Sequence, residues 1–243
     1  MCGRVVVATP RDLLASELGV DEVVAPDLGP RWNVAPTALL YAVAGRRSEA
    51  GGAAEARPVR RMGAMVWGLL PSWAAGPDSG PRPINARVES LGDRPHFAGA
   101  LAGRRCLVPV DGFYEWGGTG TRRPFFLASA EHPLMALAAI WDRWVPATGD
   151  AEPVLSCALV TAPANDDVAP LHDRMPVVVE PENRDEWLDP ANRDEGALLE
   201  LLRFGPPGRL VSRPVSRLVN STANDGPALL SAPEPDEREP TMF

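Results

Sequence analysis

The chain of 243 residues carries 24 basic and 32 acidic side chains, a net charge of −8, with 45% apolar and 23% charged residues. That length allows one large domain, the composition is that of an ordinary globular protein, and the acidic balance excludes a coat protein for nucleic acid or anionic membrane. Proline (27) and glycine (22) together fill about a fifth of the positions, which excludes a helical bundle and favours short elements joined by turns.

In chain order, residues 3 to 8 read as a strand that begins almost at the first residue, so the terminus is expected inside the fold. A short helix follows, opened by Pro10 and carrying Leu13, Leu14 and Leu18. Strands are expected at 39 to 44, 58 to 67, 105 to 110, 124 to 128, 134 to 141, 154 to 160 and 175 to 179, and helices near 94 to 102, 182 to 188 and 195 to 203. Between the first two of these strands, 45 to 56 reads as a flexible insertion. The folded unit is expected to end at 228, with 229 to 243 an acidic, proline-rich tail. Strands outnumber helices and most links are too short for parallel crossovers, so a single, mainly antiparallel α+β domain follows.

All 24 basic residues are arginine, so no lysine exists to form a Schiff base. Cys2, Cys106 and Cys157 are odd in number and widely spaced, which gives neither a disulfide framework nor a metal motif and fits a reducing cytoplasm. No segment approaches ~18 uninterrupted apolar residues, and the first residues show no charged stretch followed by an apolar run, so neither membrane insertion nor secretion is expected.

Six groups of residues have chemical interest. Cys2 becomes N-terminal if Met1 is removed, and the resulting aminothiol, with an amine pKa near about 8 and a thiol near about 8.5, condenses with aldehydes to a thiazolidine. The bland alternative is a chance cysteine near a flexible end. In Pro83-Ile84-Asn85-Ala86-Arg87-Val88-Glu89, alternation puts Asn85, Arg87 and Glu89 on one side of an extended segment. They form either a nucleophile-positioning amide beside a phosphate-holding guanidinium or a solvated Arg–Glu edge. Glu115, between Tyr114 and Trp116, is either a desolvated carboxyl with a pKa raised towards neutrality, suited to acid–base work, or a strand-surface carboxylate. His172, in His172-Asp173-Arg174-Met175-Pro176, is either a proton-transfer group beside an anion-binding arginine or a turn histidine in a local ion pair. Trp67 and Trp73 flank a Gly- and Pro-containing segment suited to rings that stack on unpaired bases, while Trp141, Trp144 and Trp187 are assigned to the core. Arg82, Arg87, Arg94, Arg104 and Arg105 against Glu89 and Asp93 give a local basic patch.

Met-Cys-Gly-Arg at the start, Asn33-Val34-Ala35-Pro36, Trp-Gly-Leu-Leu-Pro-Ser-Trp, Asn-Ala-Arg-Val-Glu, Asp-Gly-Phe-Tyr-Glu-Trp and His-Asp-Arg-Met-Pro together resemble the SOS-response-associated peptidase (SRAP) family of abasic-site-processing proteins, from residue 1 to about 225. The resemblance implies one domain around a barrel-like sheet, loss of Met1, and covalent trapping of abasic sites in single-stranded DNA by Cys2. It implies catalytic roles for Cys2, Asn85, Glu115 and His172. Phosphate contacts would come from Arg4, Arg87 and Arg174, and further DNA contacts from Asn33, Pro36, Trp73, Trp116 and Thr161. No cofactor, metal, membrane or obligate protein partner is implied, and the location would be cytoplasmic, at the nucleoid when DNA is bound. Two other readings stay open: an N-terminal-nucleophile or cysteine peptidase, and a non-catalytic single-strand binding module.

Overall fold

The structure, a computed structural model, describes residues 2–47, 57–117, 122–146, 152–202 and 207–234. Residues 48–56 of the expected insertion and 235–243 of the expected tail lie outside the described residues.

The strands with the longest apolar runs build the centre. Strands β4 (Leu39–Arg46), β5 (Val59–Trp67), β7 (Arg105–Val110), β10 (Met135–Trp144) and β11 (Val154–Pro163) pair in the order β11-β10-β7-β4-β5. A parallel β11–β5 pairing at Ser156↔Val66 and Cys157↔Trp67 closes them into a ring. Every residue of β7 is buried, as are six consecutive residues of β10 from Met135 to Ile140, because both faces of these strands meet core. Two short strands extend this sheet, β2 (Glu22–Val23) on β5 and β12 (Arg174–Pro176) on β11, while β6 (Asn85–Arg87) adds to β11 in parallel. The barrel-like α+β expectation is met.

A second sheet runs β13-β9-β8-β1-β3, from Leu210–Pro214, Arg123–Ser129, Gly112–Gly117, Val5–Val7 and Arg31–Val34. The N-terminal strand β1 is therefore internal, flanked by β8 and β3, and all three of its valines are buried. Asp111, the one residue between β7 and β8, fixes the end of β1 by accepting from Ala8 N–H at 2.6 Å, Thr9 N–H at 3.1 Å and the Thr9 hydroxyl at 2.5 Å.

Among the described residues four α-helices pack outside: α1 (Arg11–Glu17), α2 (Pro95–Leu101), α3 (Arg184–Leu188) and α4 (Glu195–Glu200). Pro10 precedes the first turn of α1, and Leu14 and Leu18, four apart, face the core while Leu13 points outward. Arg105 joins α2 and α3 to β7. Its guanidinium donates to the carbonyls of Trp187 at 2.7 Å, Leu101 at 2.6 Å, Asn192 at 3.1 Å and also Asp189, and lies over the Trp187 ring. Arg105 is thus an internal brace, not part of a surface basic patch.

Other expectations change too. Trp67 is fully buried with its indole N–H on Ile84 O, so of the two rings proposed as exposed only Trp73 is. The strand expected at 175 to 179 is Arg174–Pro176, with Val178 making one isolated bridge to Leu137. Packing continues past residue 228, since Leu229 is buried and Ser231 O accepts from Ser216 N–H.

Candidate active site

The register of β1 on β8 brings the two ends of the chemistry together. Val5 faces Phe113 and Tyr114 N–H donates to Arg4 O, so continuing the pairing places Glu115 beside Gly3 and next to Cys2. Cys2 has no exposed surface, and the Asn85 side-chain amide donates to its carbonyl at 2.9 Å. Burial, and then the charge of Glu115, push the Cys2 thiol well above its ordinary value, so the sulfur is held as a neutral thiol.

Asn85 reaches this position through β6, which pairs in parallel with β11 as Asn85↔Leu159 and Arg87↔Thr161. The strand stops at Arg87 and a 3-10 turn over Val88–Ser90 swings Glu89 away. The expected single face of Asn85, Arg87 and Glu89 is therefore broken. Arg87 is exposed, whereas Glu89 takes a two-pronged ion pair from Arg174, with Nη2 on Oε2 at 2.9 Å and Nη1 on Oε1. That guanidinium holds the Glu89 carboxyl below its ordinary range. Arg174 is itself buried and donates further to Thr161 O at 2.8 Å.

Glu115 is only 4% exposed, so it is not a strand-surface carboxylate. The His172 Nε2 lies 4.0 Å from its Oε1. On the other side of the ring, Nδ1 sits 2.9 Å from Arg174 N–H and 2.7 Å from Asp173 Oδ1. Nδ1 thus accepts from the Arg174 amide and lies beside the Asp173 carboxylate. Gly117 permits this approach: a Cβ there would lie 2.5 Å from Leu171 Cδ2 and 3.0 Å from Leu171 Cα. A side chain at 117 would push away the turn that carries His172.

A second cluster lies on the β1–β3 side. Arg4 donates to Asn33 Oδ1 at 2.6 Å and Val219 O at 2.9 Å and stacks over the Trp116 ring at 5.6 Å. The Asn33 amide nitrogen donates to Ser221 O at 2.9 Å and Asn224 O at 2.8 Å, and Trp116 Nε1 donates to Asn220 Oδ1 at 2.7 Å. Asn33 thus clamps the 219–224 segment with its own polar atoms. Pro36 lines an adjoining open cleft of about 420 Å³ with Asn33, Arg31, Thr222 and Asp225, and the neighbouring Thr37 has φ 75°, a left-handed backbone rare for a β-branched residue.

Of the residues singled out from sequence, Cys2, Asn85, Glu115 and His172 form one group, Arg4, Asn33 and Trp116 another, and Thr161, Arg174 and Glu89 a third. Trp73 stands apart at 61% exposure. Asn85 Oδ1 and Thr161 Oγ1 are buried with no hydrogen-bond partner among the described residues, two polar atoms that a bound ligand can satisfy. Sequence reasoning missed the 219–225 segment, whose support of Asn33 and Trp116 runs largely through main-chain carbonyls and so leaves little side-chain signature. Among the described residues no cluster of three His, Cys, Asp or Glu has metal-binding proximity, and no helix is long and apolar enough to cross a membrane.

A closed ring of five strands beside a second sheet, with a buried Cys2 tied to the Asn85 amide and near the Glu115 carboxylate, which in turn faces His172, defines an α+β barrel protein with a buried cysteine at the head of β1. The chain belongs to the SOS response associated peptidase (SRAP) family, which it matches over residues 1–222. It is 32% identical over 235 residues to the abasic site processing protein YoqW of Bacillus subtilis, covering 96% of this chain and all of that one. It is 28% identical to the abasic site processing protein YedK of Escherichia coli, covering 95% of this chain and 99% of that one. A crystal structure of a protein from Bacteroides thetaiotaomicron has the same fold, with TM-score 0.80 at 18% identity over 95% of this chain and 99% of that one.

Proposed function

We propose that this protein, once Met1 is removed, traps abasic sites in single-stranded DNA by a covalent link through Cys2. The observation that carries the reading is the seating of Cys2: fully buried at the head of β1, tied by its carbonyl to Asn85, and beside Glu115. The ring-opened abasic sugar presents an aldehyde. The α-amine adds to it and water leaves, giving an imine. The thiol then adds across the C=N bond, sulfur to carbon and its proton to nitrogen, closing a thiazolidine. A thiol held neutral suits this order, since the amine attacks first and the sulfur delivers its proton at closure. Glu115 moves protons during carbinolamine formation and loss of water, and His172 assists sugar ring opening and reversal.

Arg4 and Arg87 hold backbone phosphates, and Arg174 does so while shared with Glu89. Pro36, Trp73, Trp116 and Thr161 line the strand's path, and Asn33 acts by fixing Arg4. The protein works in the cytoplasm, at the nucleoid when bound. Incubation of the purified chain with an abasic single-stranded oligonucleotide gives a heat-stable adduct of the combined mass, absent in Cys2→Ala; an adduct that persists in Cys2→Ala overturns the mechanism.

The placement of His172 and Glu115 near Cys2 also supports a peptidase activity directed at the protein's own Met1. Intact mass of freshly translated Glu115→Gln and wild-type chains tests it: wild type loses Met1 and the variant retains it. General turnover of a peptide panel in the absence of DNA instead favours a broad peptidase.

A further inference from the structure

The chain between β5 and β6 runs buried from Gly68 to Pro71 and reaches the surface at Ser72, and it is pinned on both sides of Trp73. Gly68 N–H donates to Cys157 O at 2.9 Å, Leu69 N–H to Pro83 O at 2.9 Å, and Leu70 N–H to the hydroxyl of Ser156, which is fully buried, at 2.8 Å. On either side of Trp73, Ser72 N–H donates to Asp142 Oδ2 at 2.9 Å, and Ala74 O accepts from Trp144 Nε1 at 2.7 Å. Asp142 and Trp144 stand two residues apart on β10, so both arise from the same face of one rigid barrel strand. Asp142 is 4% exposed, with Arg104 Nε 3.1 Å from its Oδ1 and Arg143 N–H 2.8 Å away.

A buried carboxylate costs stability unless it is well partnered, and here one of its oxygens is given to a surface loop. The residue between the two anchors is a tryptophan left 61% exposed, its ring meeting His96 edge-on at 4.9 Å between centroids. Loops normally hold large apolar rings out of water or leave them mobile. This one is exposed between two backbone anchors, at Ser72 and Ala74. Fixing an aromatic surface before binding removes the ordering cost that a flexible loop incurs on association.

We infer that Asp142 and Trp144 are positioning residues that fix Trp73, with His96 at its edge, as a stacking platform for an unpaired nucleobase of the bound single strand. The inference rests on the single-strand trapping proposed above. It adds residues on the barrel wall whose effect on DNA passes through Trp73.

The test uses the full chain and a labelled abasic single strand, with crosslinking rate measured against DNA concentration. Trp73→Ala raises the half-saturating concentration about tenfold, the scale of one lost base stack. Trp144→Phe, which keeps a ring and removes only the N–H, raises it about threefold, with the effect on half-saturation rather than on the maximal rate. Asp142→Asn does the same and guards against a folding defect in the other variant. Combined with Trp73→Ala, neither change adds anything. If Trp144→Phe and Asp142→Asn leave half-saturation unmoved while Trp73→Ala raises it, or if they weaken binding equally in the Trp73→Ala background, the positioning role is overturned. Fluorescence anisotropy with an intact strand of the same sequence repeats the comparison without any covalent step, so loss of trapping and loss of the platform are read separately.

Discussion

The side-chain amide of Asn85 donates to the main-chain carbonyl of Cys2 at 2.9 Å, across 83 residues of sequence. It holds the backbone of Cys2, the residue proposed to react, without engaging its thiol. Its own Oδ1 is buried and unpartnered among the described residues. Asn85 therefore has one polar atom spent on orienting Cys2 and one that a bound group can satisfy.

Asn85→Ala removes that tether and leaves the fold intact, because only one hydrogen bond at a half-buried position is lost. Crosslinking to an abasic oligonucleotide slows by about 10²-fold, the scale expected when a reacting group drifts by about 1 Å. Single-turnover rates at saturating DNA check this, with the melting temperature as the control for folding.

Glu115→Gln keeps the shape of the side chain and removes its capacity to take up a proton. Adduct formation falls by about 10²- to 10⁴-fold, while binding of intact single-stranded DNA is unchanged within about twofold. Rate measurements between pH 5 and 8, beside anisotropy with an intact strand, separate the two effects.

Gly117→Ala tests how His172 is positioned. The added methyl meets Leu171 at 2.5 Å and displaces the turn ahead of His172, so activity drops by about tenfold or more, alongside the stability loss of about 1–3 kcal/mol usual for overpacking. Gly117→Ala with Leu171→Ala regains part of the lost rate, since the second change makes room for the first. A double-mutant cycle on crosslinking rate reads that coupling.

The three buried thiols give the protein an alkaline weakness. Burial raises Cys157 from 9.0 to about 12, and Cys2 and Cys106 move in the same direction. Thiols that stay neutral in the fold but ionise in the unfolded chain contribute stability that is complete below pH 9.0 and declines as pH rises towards about 12. Thermal melts under reductant from pH 8 to 10.5 show a falling midpoint. Cys157→Ala lowers the midpoint at neutral pH through its small cavity and makes the alkaline decline shallower.

Much of the fold was legible because the ring strands carry their signal locally. Met135–Trp144 and Val154–Pro163 are long apolar runs, and Arg105–Val110 is buried throughout. Gly112–Gly117 escaped because four of its six side chains or glycine positions turn inward in succession, which erases the alternation of a half-exposed strand. Leu210–Pro214 and Arg31–Val34 are edge strands whose polar residues read as loop. The chemical side chains were visible one by one. Their meeting depends on β1 lying between β8 and β3 and on the parallel alignment of β6 with β11, pairings between distant segments that no local pattern encodes. Arg105 was misjudged for the opposite reason: an arginine amid surface arginines gives no sign that backbone carbonyls have drawn it inside.

Because β1 is threaded between two neighbours and Cys2 has no exposed surface, the front of this polypeptide has no slack. Affinity handles and fluorescent fusions belong at the opposite end. A vector that leaves even a short scar ahead of Cys2 would cap the amine that the proposed chemistry needs, and an inactive preparation of that kind would say nothing about the native molecule.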